Sequence, residues 1–222
     1  MKKSVKRNIV ISAIMFAIAA IFTAVVAFVD KAPTGPADSV VGLSTLNGKI
    51  FSALGVSNTW YEITSKLGYL SIAVALGFAL LGVYQLIKRK KLSAIDADLM
   101  LLAALYVLFG ICYVAFEIFT VNCRPILVDG VLEASYPSSH TMLFCTIVGS
   151  APIFLHRKLK NKTVLMIIDV LTVLLTLVMS VGRLLSGVHW LTDVIGGVLI
   201  SLFLISLYVT ALSILDTKKT DR

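Results

Sequence analysis

Three short blocks hold the residue types that handle phosphate. They are Arg124-Pro125, Pro137-Ser138-Ser139-His140, and Gly182-Arg183 followed by His189 and Asp193. A guanidinium presents a planar fork of donors that matches phosphate oxygens, and it stays charged at any working pH. Pro137-Ser138 reads as the cap and opening of a helix. A helix start offers unpaired N–H groups and the positive dipole end to an anion, although the Pro-Ser-Ser run by itself is only a capping motif. His189 and Asp193 are four residues apart, which on a helix places both on one face. Asp193 would then accept a ring N–H of His189, fix its tautomer and leave the other nitrogen as base or nucleophile. Taken together, these residues describe a phosphate site with a nucleophile and an acid. A metal held by His140, His189 and Asp193 is the rival reading, and the two neighbouring arginines would repel a cation. Of the three histidines, His156 lies apart in a basic stretch and reads as solvated.

The elements that must position these residues are membrane helices. The 222 residues are 58% hydrophobic and 14% charged, with a mean hydropathy of +0.95. A soluble domain has roughly 45–50% apolar and about 25% charged residues. The apolar excess lies in long blocks, and crossing a bilayer takes about 20 apolar residues in a helix. Six stretches qualify: 9–29, 67–87, 99–119, 139–155, 164–181 and 194–215. The expected fold is all-α, a six-helix polytopic bundle forming a single domain over residues 1–222. The first stretch follows a basic start, but it is longer than a signal-peptide core and lacks a clean cleavage site, so it reads as a spanning helix.

The net charge of +8 is clustered. Basic groups lie at Lys2, Lys3, Lys6 and Arg7, at Lys88–Lys91, at Arg157–Lys162, and at Lys218, Lys219 and Arg222. Each flanks an apolar block at every second crossing. With both termini cytoplasmic, fifteen of the twenty Lys/Arg residues are inside, which follows the positive-inside rule and argues against a nucleic-acid partner. All three phosphate blocks then face outward. The longest external loop, 30–66, opens with helix breakers and continues with Val40, Leu43, Leu46, Ile50, Phe51 and Leu54 at helical spacing. That spacing fits an interfacial helix over about 40–54 or an ordinary loop helix. Trp60, Tyr61 and Trp190 read as interface anchors. Cys112, Cys123 and Cys145 show no metal or redox spacing.

At these residues the sequence resembles the type 2 phosphatidic acid phosphatase superfamily of integral membrane lipid phosphatases. That family's pattern is lysine, six residues, arginine-proline; then proline-serine-glycine-histidine; then serine-arginine, five residues, histidine, three residues, aspartate. The order and spacing match over Glu117–Asp193. The resemblance implies a metal-independent, cofactor-free phosphoryl transfer from a membrane lipid phosphate, and the basic inner loops and short length fit the plasma (inner) membrane. His189 would attack phosphorus to form a phosphohistidine, Asp193 would orient it, and His140 would protonate the leaving group. Arg124, Arg183, Ser138 and Ser139 would hold the phosphate oxygens. The lipid would be of the phosphatidic acid, phosphatidylglycerol phosphate or isoprenyl diphosphate type. Phosphotransfer to another acceptor and binding without turnover are the alternatives.

Three positions depart from the pattern. Ser139 replaces glycine, Gly182 replaces serine, and Glu117 stands where the family has lysine. Glu117 could orient Arg124, face a cationic headgroup, or mark weakened activity. Lys66 is a candidate substitute for the missing cation. Asp169 falls well inside the fifth apolar stretch, where it would be protonated or paired within the bundle.

Overall fold

The structure, a computed structural model, describes residues 3–220; Lys2 and Arg222, from the first and last basic clusters, lie outside the described residues. The chain is all-α in its main elements. Helix α1 (Lys3–Phe28) is followed by a two-residue antiparallel ladder of β1 (Ala32–Pro33) with β2 (Val40–Val41), and then by α2 (Ser44–Leu54). Helices α3 (Asn58–Arg89), α4 (Ala97–Ile118), α5 (Ser139–His156), α6 (Lys162–Leu185) and α7 (Leu191–Thr220) complete the bundle. Five of them, α1, α3, α4, α6 and α7, are long and apolar enough to cross a membrane.

The fourth predicted span, α5, is not in that set. It is the central helix, with eleven of its eighteen residues buried against α3, α4, α6 and α7. At 1.5 Å per residue it is about 27 Å long. Phe144, Met142 and Phe154 of α5 are each at most 2% exposed. The largest apolar cluster joins α4, α5 and α7 through Leu102, Leu105, Met142, Phe154, Leu204 and Tyr208. Outward-facing Leu, Ile, Val and Phe side chains cover the bundle's flanks, as expected where lipid is the solvent.

Charged residues gather at one end. Arg157, at the C-terminal end of α5, donates to Asp98 at the start of α4 and to Asp216 near the end of α7, at 2.7–3.3 Å. Lys158 adds bridges to Asp96 and Asp98 at 3.1 and 3.2 Å. Asp169 is also at this end and is not deep: α6 begins at Lys162, so Asp169 is two turns in and within 2.9 Å of His156. Both residues are about half exposed. His156 is therefore a hydrogen-bond partner of Asp169 as well as a solvated residue.

The loop region differs from the predicted helix over 40–54. Val40–Val41 are in the ladder, Leu43 turns the chain at φ 48°, and helix begins only at Ser44. The buried residues of α2 are polar Ser44 and Asn47, whereas Leu46 and Leu54 are each 43% exposed. Asn47 explains this. Its Nδ2 donates to the Gly42 carbonyl (2.8 Å) and the Thr192 hydroxyl (2.9 Å), and its Oδ1 accepts the Thr192 N–H (3.3 Å). The helix is thus docked on the start of α7 by hydrogen bonds that a hydrophobic reading does not see.

Arg157→Gln should remove the fork that joins α4, α5 and α7 and leave buried Asp98 under-compensated. We expect a stability loss of about 1–3 kcal/mol, read as a lower melting temperature in detergent.

Candidate active site

The three phosphate blocks meet at the end of the bundle opposite Arg157. Arg183 ends α6, His189 follows a tight turn, Asp193 lies in the first turn of α7, and Ser138–His140 opens α5. Gly187 makes the turn. Its φ is +73°, and a Cβ there would run into the Gly55 carbonyl and Val56. The α2–α3 connection is thereby stacked on the turn, with the Ser57 N–H donating to the Ser186 carbonyl at 3.3 Å.

Arg183 is 1% exposed, and among the described residues no carboxylate lies within ion-pair range of it. Its Nη1 donates to Thr64 Oγ1 (3.4 Å), its Nη2 lies 3.3 Å from His189 Nε2, and its Nε has no partner. The Tyr61 ring lies 5.5 Å from the guanidinium carbon. Burying a charge without a counter-charge is costly, so the geometry is that of a cation awaiting an anion. Thr64 reaches Arg183 because Gly182 has no side chain: a Cβ there would collide with Thr64 Cγ2 and the Trp60 ring. The family serine at this position therefore has no room here. Trp60 and Tyr61 form this wall.

His189 is 2% exposed, and its tautomer follows from its partners. Nδ1 lies 3.1 Å from the Ser135 carbonyl, an acceptor only, so Nδ1 carries the proton. Nε2 faces the Arg183 donor and keeps its lone pair. Burial, and then the positive charges of Arg183 and Arg124, hold the His189 imidazole well below its usual pKa and favour its neutral form.

Asp193 does not take the ring N–H. His189 precedes helix α7, so the i,i+4 face argument fails, and Asp193 Oδ2 stands 3.6 Å from Nδ1. Instead Oδ2 accepts the Trp190 N–H at 2.9 Å, the reciprocal half of a capping box at the start of α7. Its Oδ1 takes Asn122 Nδ2 at 3.4 Å. Asp193 thus holds the helix start and the segment that contains His189. Trp190 is not an interface anchor. It is 2% exposed, donates from Nε1 to the Cys123 carbonyl (2.7 Å) and packs on Phe51. That contact pins the 120–138 loop, and Arg124 with it, over the site.

Arg124 lies near both Arg183 and His140. Its Nε is 2.9 Å from Glu133 Oε2 in an ion pair whose direction is poor for a hydrogen bond. Ser138 is the N-cap residue of α5, but its Oγ accepts from Thr141 Oγ1 (3.0 Å) and makes no cap to the backbone. The first-turn N–H groups are left for another acceptor. His140 packs against Gly68 of α3, where a Cβ would approach its ring to 3.2 Å.

Ser139 and Glu117 line a recess of about 10 Å3 beside His189, about one water in size. That recess is too small to take a phosphate. Lys66 is not a substitute cation for Glu117: it is 74% exposed and paired with Glu62 at 3.0 Å. Among the described residues, no group of three His, Cys, Asp or Glu side chains is placed to hold a metal ion.

Sequence reasoning missed Ser135, Asn122, Asn47 and Thr64. Each acts through a backbone carbonyl or a buried amide or hydroxyl, and no periodicity or charge pattern marks such groups.

Comparison with known proteins places this geometry. The chain aligns with a PAP2-type phosphatidylglycerolphosphate phosphatase from Bacillus subtilis at a TM-score of 0.62 and 19% identity, covering 89% of this chain and 93% of that one. It aligns with LpxE of Aquifex aeolicus at a TM-score of 0.50 and 21% identity, covering 74% and 94%. These likenesses concern the fold. No curated protein matches the sequence. The profile of the PAP2 superfamily matches residues 98–214. That is more than half of the chain and includes the whole cluster from Glu117 to Asp193, and the chain belongs to this superfamily.

Proposed function

We propose that the protein hydrolyses the phosphate of a membrane lipid, a phosphomonoester or diphosphate, at the outer face of the plasma (inner) membrane. The observation that carries this reading is buried Arg183, without a carboxylate partner and 3.3 Å from the unprotonated nitrogen of His189. The Bacillus neighbour acts on phosphatidylglycerolphosphate, which supports a lipid phosphate as the substrate class. The topology of the proposal is six spans, α5 included, with both termini in the cytoplasm and the basic Arg157 end inside.

In this mechanism Arg183 exchanges its contact with Nε2 for a phosphate oxygen, and Arg124 and the open N–H groups of α5 hold the others. His189 Nε2 attacks phosphorus as the bond to the leaving oxygen breaks, and His140 supplies that oxygen's proton. Water then attacks the phosphohistidine, His140 takes its proton back, and the P–N bond breaks to release phosphate. Catalysis is mostly positioning and charge stabilisation, which the side chains provide without a metal. Glu117, beside the nucleophile, opposes an incoming dianion.

His189→Ala should lower phosphate release by about 10³-fold or more while lipid binding persists, and it should abolish acid-labile 32P label on the protein. Because His189 is held below its usual pKa, the neutral form is lost only as pH falls beneath that lowered value. The acid limb of kcat/KM should therefore lie below pH 6.5; a limb at or above 6.5 would contradict a buried nucleophile. Glu117→Gln should lower KM for an anionic lipid phosphate by about two- to fivefold, with Glu117→Lys going further. No change from either would remove Glu117 from the site. Gly182→Ser, although it restores the family residue, should lower kcat by pushing Thr64 off Arg183.

A further inference from the structure

The start of α4 and the end of α7 meet at the basic end of the bundle, where the Tyr208 hydroxyl donates to the Asp98 carbonyl at 3.4 Å. Beside this joint is a cleft of about 670 Å3, within the roughly 300–1,000 Å3 of ligand pockets. It opens outward, and Leu92, Met100 and Ile214 on its walls are all exposed. On α7 the lining is Ala211, Ile214, Leu215 and Lys218, a single i, i+3, i+4, i+7 stripe that ends in a lysine. On the other wall, Ala97, Met100 and Leu101 of α4 follow Ser93 in the turn before it. Both walls are polar at the end of the bundle and apolar away from it.

A second hollow of about 130 Å3 continues the first. It shares Leu101 and Ala211 and runs on to Leu108 and Leu204. From Leu204 to Lys218 along α7 is about 21 Å at 1.5 Å per residue, and one leaflet contributes about 15 Å of hydrocarbon. The track is therefore about one leaflet deep, with its lysine at headgroup level. The carboxylates near its mouth are engaged by other cations. Asp216 binds Arg157 through both oxygens (2.9 and 2.7 Å), Asp98 binds Arg157 and Lys158, and Asp96 binds Arg89 and Lys158. Lys219 reaches Asp98 at 4.0 Å. Among the described residues, no carboxylate lies within ion-pair range of Lys218, nor of Lys90 and Lys91 just before Leu92. The apolar cleft between α3 and α4, lined by side chains such as Phe78, Leu86 and Leu102, has no cation in its wall.

We propose that this track binds an anionic phospholipid of the inner leaflet, with its phosphate on Lys218 and one acyl tail along α4 and α7. The inner-leaflet assignment rests on the topology proposed above, and the proposal does not depend on the phosphatase reading. Basic pockets between spanning helices on the cytoplasmic side suit anionic headgroups. This lipid is not the substrate, because it sits at the opposite end of the bundle from Arg183. Bound there, it braces from outside the α4–α7 joint that Arg157 holds from within, so occupancy stabilises the folded protein.

The test is native mass spectrometry of the detergent-purified protein titrated with dioleoyl phosphatidylglycerol or dioleoyl phosphatidylcholine, with melting temperature as a second readout. Phosphatidylglycerol should bind more tightly and raise the melting temperature further. Lys218→Gln should lower its affinity by about fivefold. Ala104→Phe, on the exposed wall of the second hollow, should lower it too. Lys162→Gln, a cation of the same end at the start of α6, and His189→Ala, at the other end, should leave it unchanged. Equal affinity for the two lipids overturns the proposal, as does an equal loss in Lys218→Gln and Lys162→Gln, which would mean diffuse attraction to a basic surface. No effect of Ala104→Phe overturns the tail's path, and a loss in His189→Ala moves the lipid to the phosphate site and overturns the proposal. An impermeant maleimide tests the side separately. Labelling of Lys218→Cys above the wild-type background only after permeabilisation supports the inner leaflet, and labelling from outside intact cells overturns it.

Discussion

A guanidinium buried to 1% exposure, with no carboxylate beside it among the described residues, is the constraint around which this end of the molecule is arranged. Removing a charge from water costs several kcal/mol, and nothing in the protein fully offsets that cost for Arg183. The partial offsets are a threonine hydroxyl, an aromatic ring and the lone pair of His189. Each depends on a backbone feature. Gly182 lets α3 close on α6 so that Thr64 arrives, and Gly187 turns the chain so that His189 faces back. Asp193 fixes the start of α7 behind it. In the proposed function the full offset is an anion, a phosphate between Arg183, Arg124 and the start of α5.

The molecule separates its electrostatic tasks by position. At the Arg157 end, charges are paired with carboxylates and tie three helices together. At the other end Arg183 has no carboxylate partner among the described residues, and the fold is held largely by neutral hydrogen bonds: Asn47 to Gly42 and Thr192, Asn122 to Gly42, Trp190 to Cys123. A neutral network holds the geometry without competing for the substrate's charge. The exceptions are Asp193, whose carboxylate accepts from Trp190 and Asn122, and Glu133, which pairs with Arg124 and which the proposed phosphate would have to share or displace.

Much of this was legible in the sequence, because phosphate chemistry uses charged residues and membrane helices use long apolar runs. Arg124, Ser138, His140, Arg183 and His189 do converge. What misled was the assumption that His189 and Asp193 share a helix: the His lies just before α7, so a backbone carbonyl at Ser135 takes the ring proton and Asp193 caps the helix. Trp190 misled for a similar reason, since a tryptophan at a membrane boundary reads as an anchor until its N–H is found bonded to Cys123. The early start of α3 at Asn58 was hidden because Glu62 and Lys66 face outward and break the apolar run without breaking the helix. Asp169 looked deep only because α6 begins at a lysine that counts as loop by hydropathy.

The central claim is that Arg183 and His189 form one anion seat, and orthovanadate, which mimics a phosphoryl group in transfer, tests it without turnover. Calorimetric titration should show saturable binding to the purified protein, lost on Arg183→Gln and retained on Arg157→Gln. Equal vanadate affinity in wild type and Arg183→Gln would contradict the assignment of this guanidinium as the phosphate's principal partner.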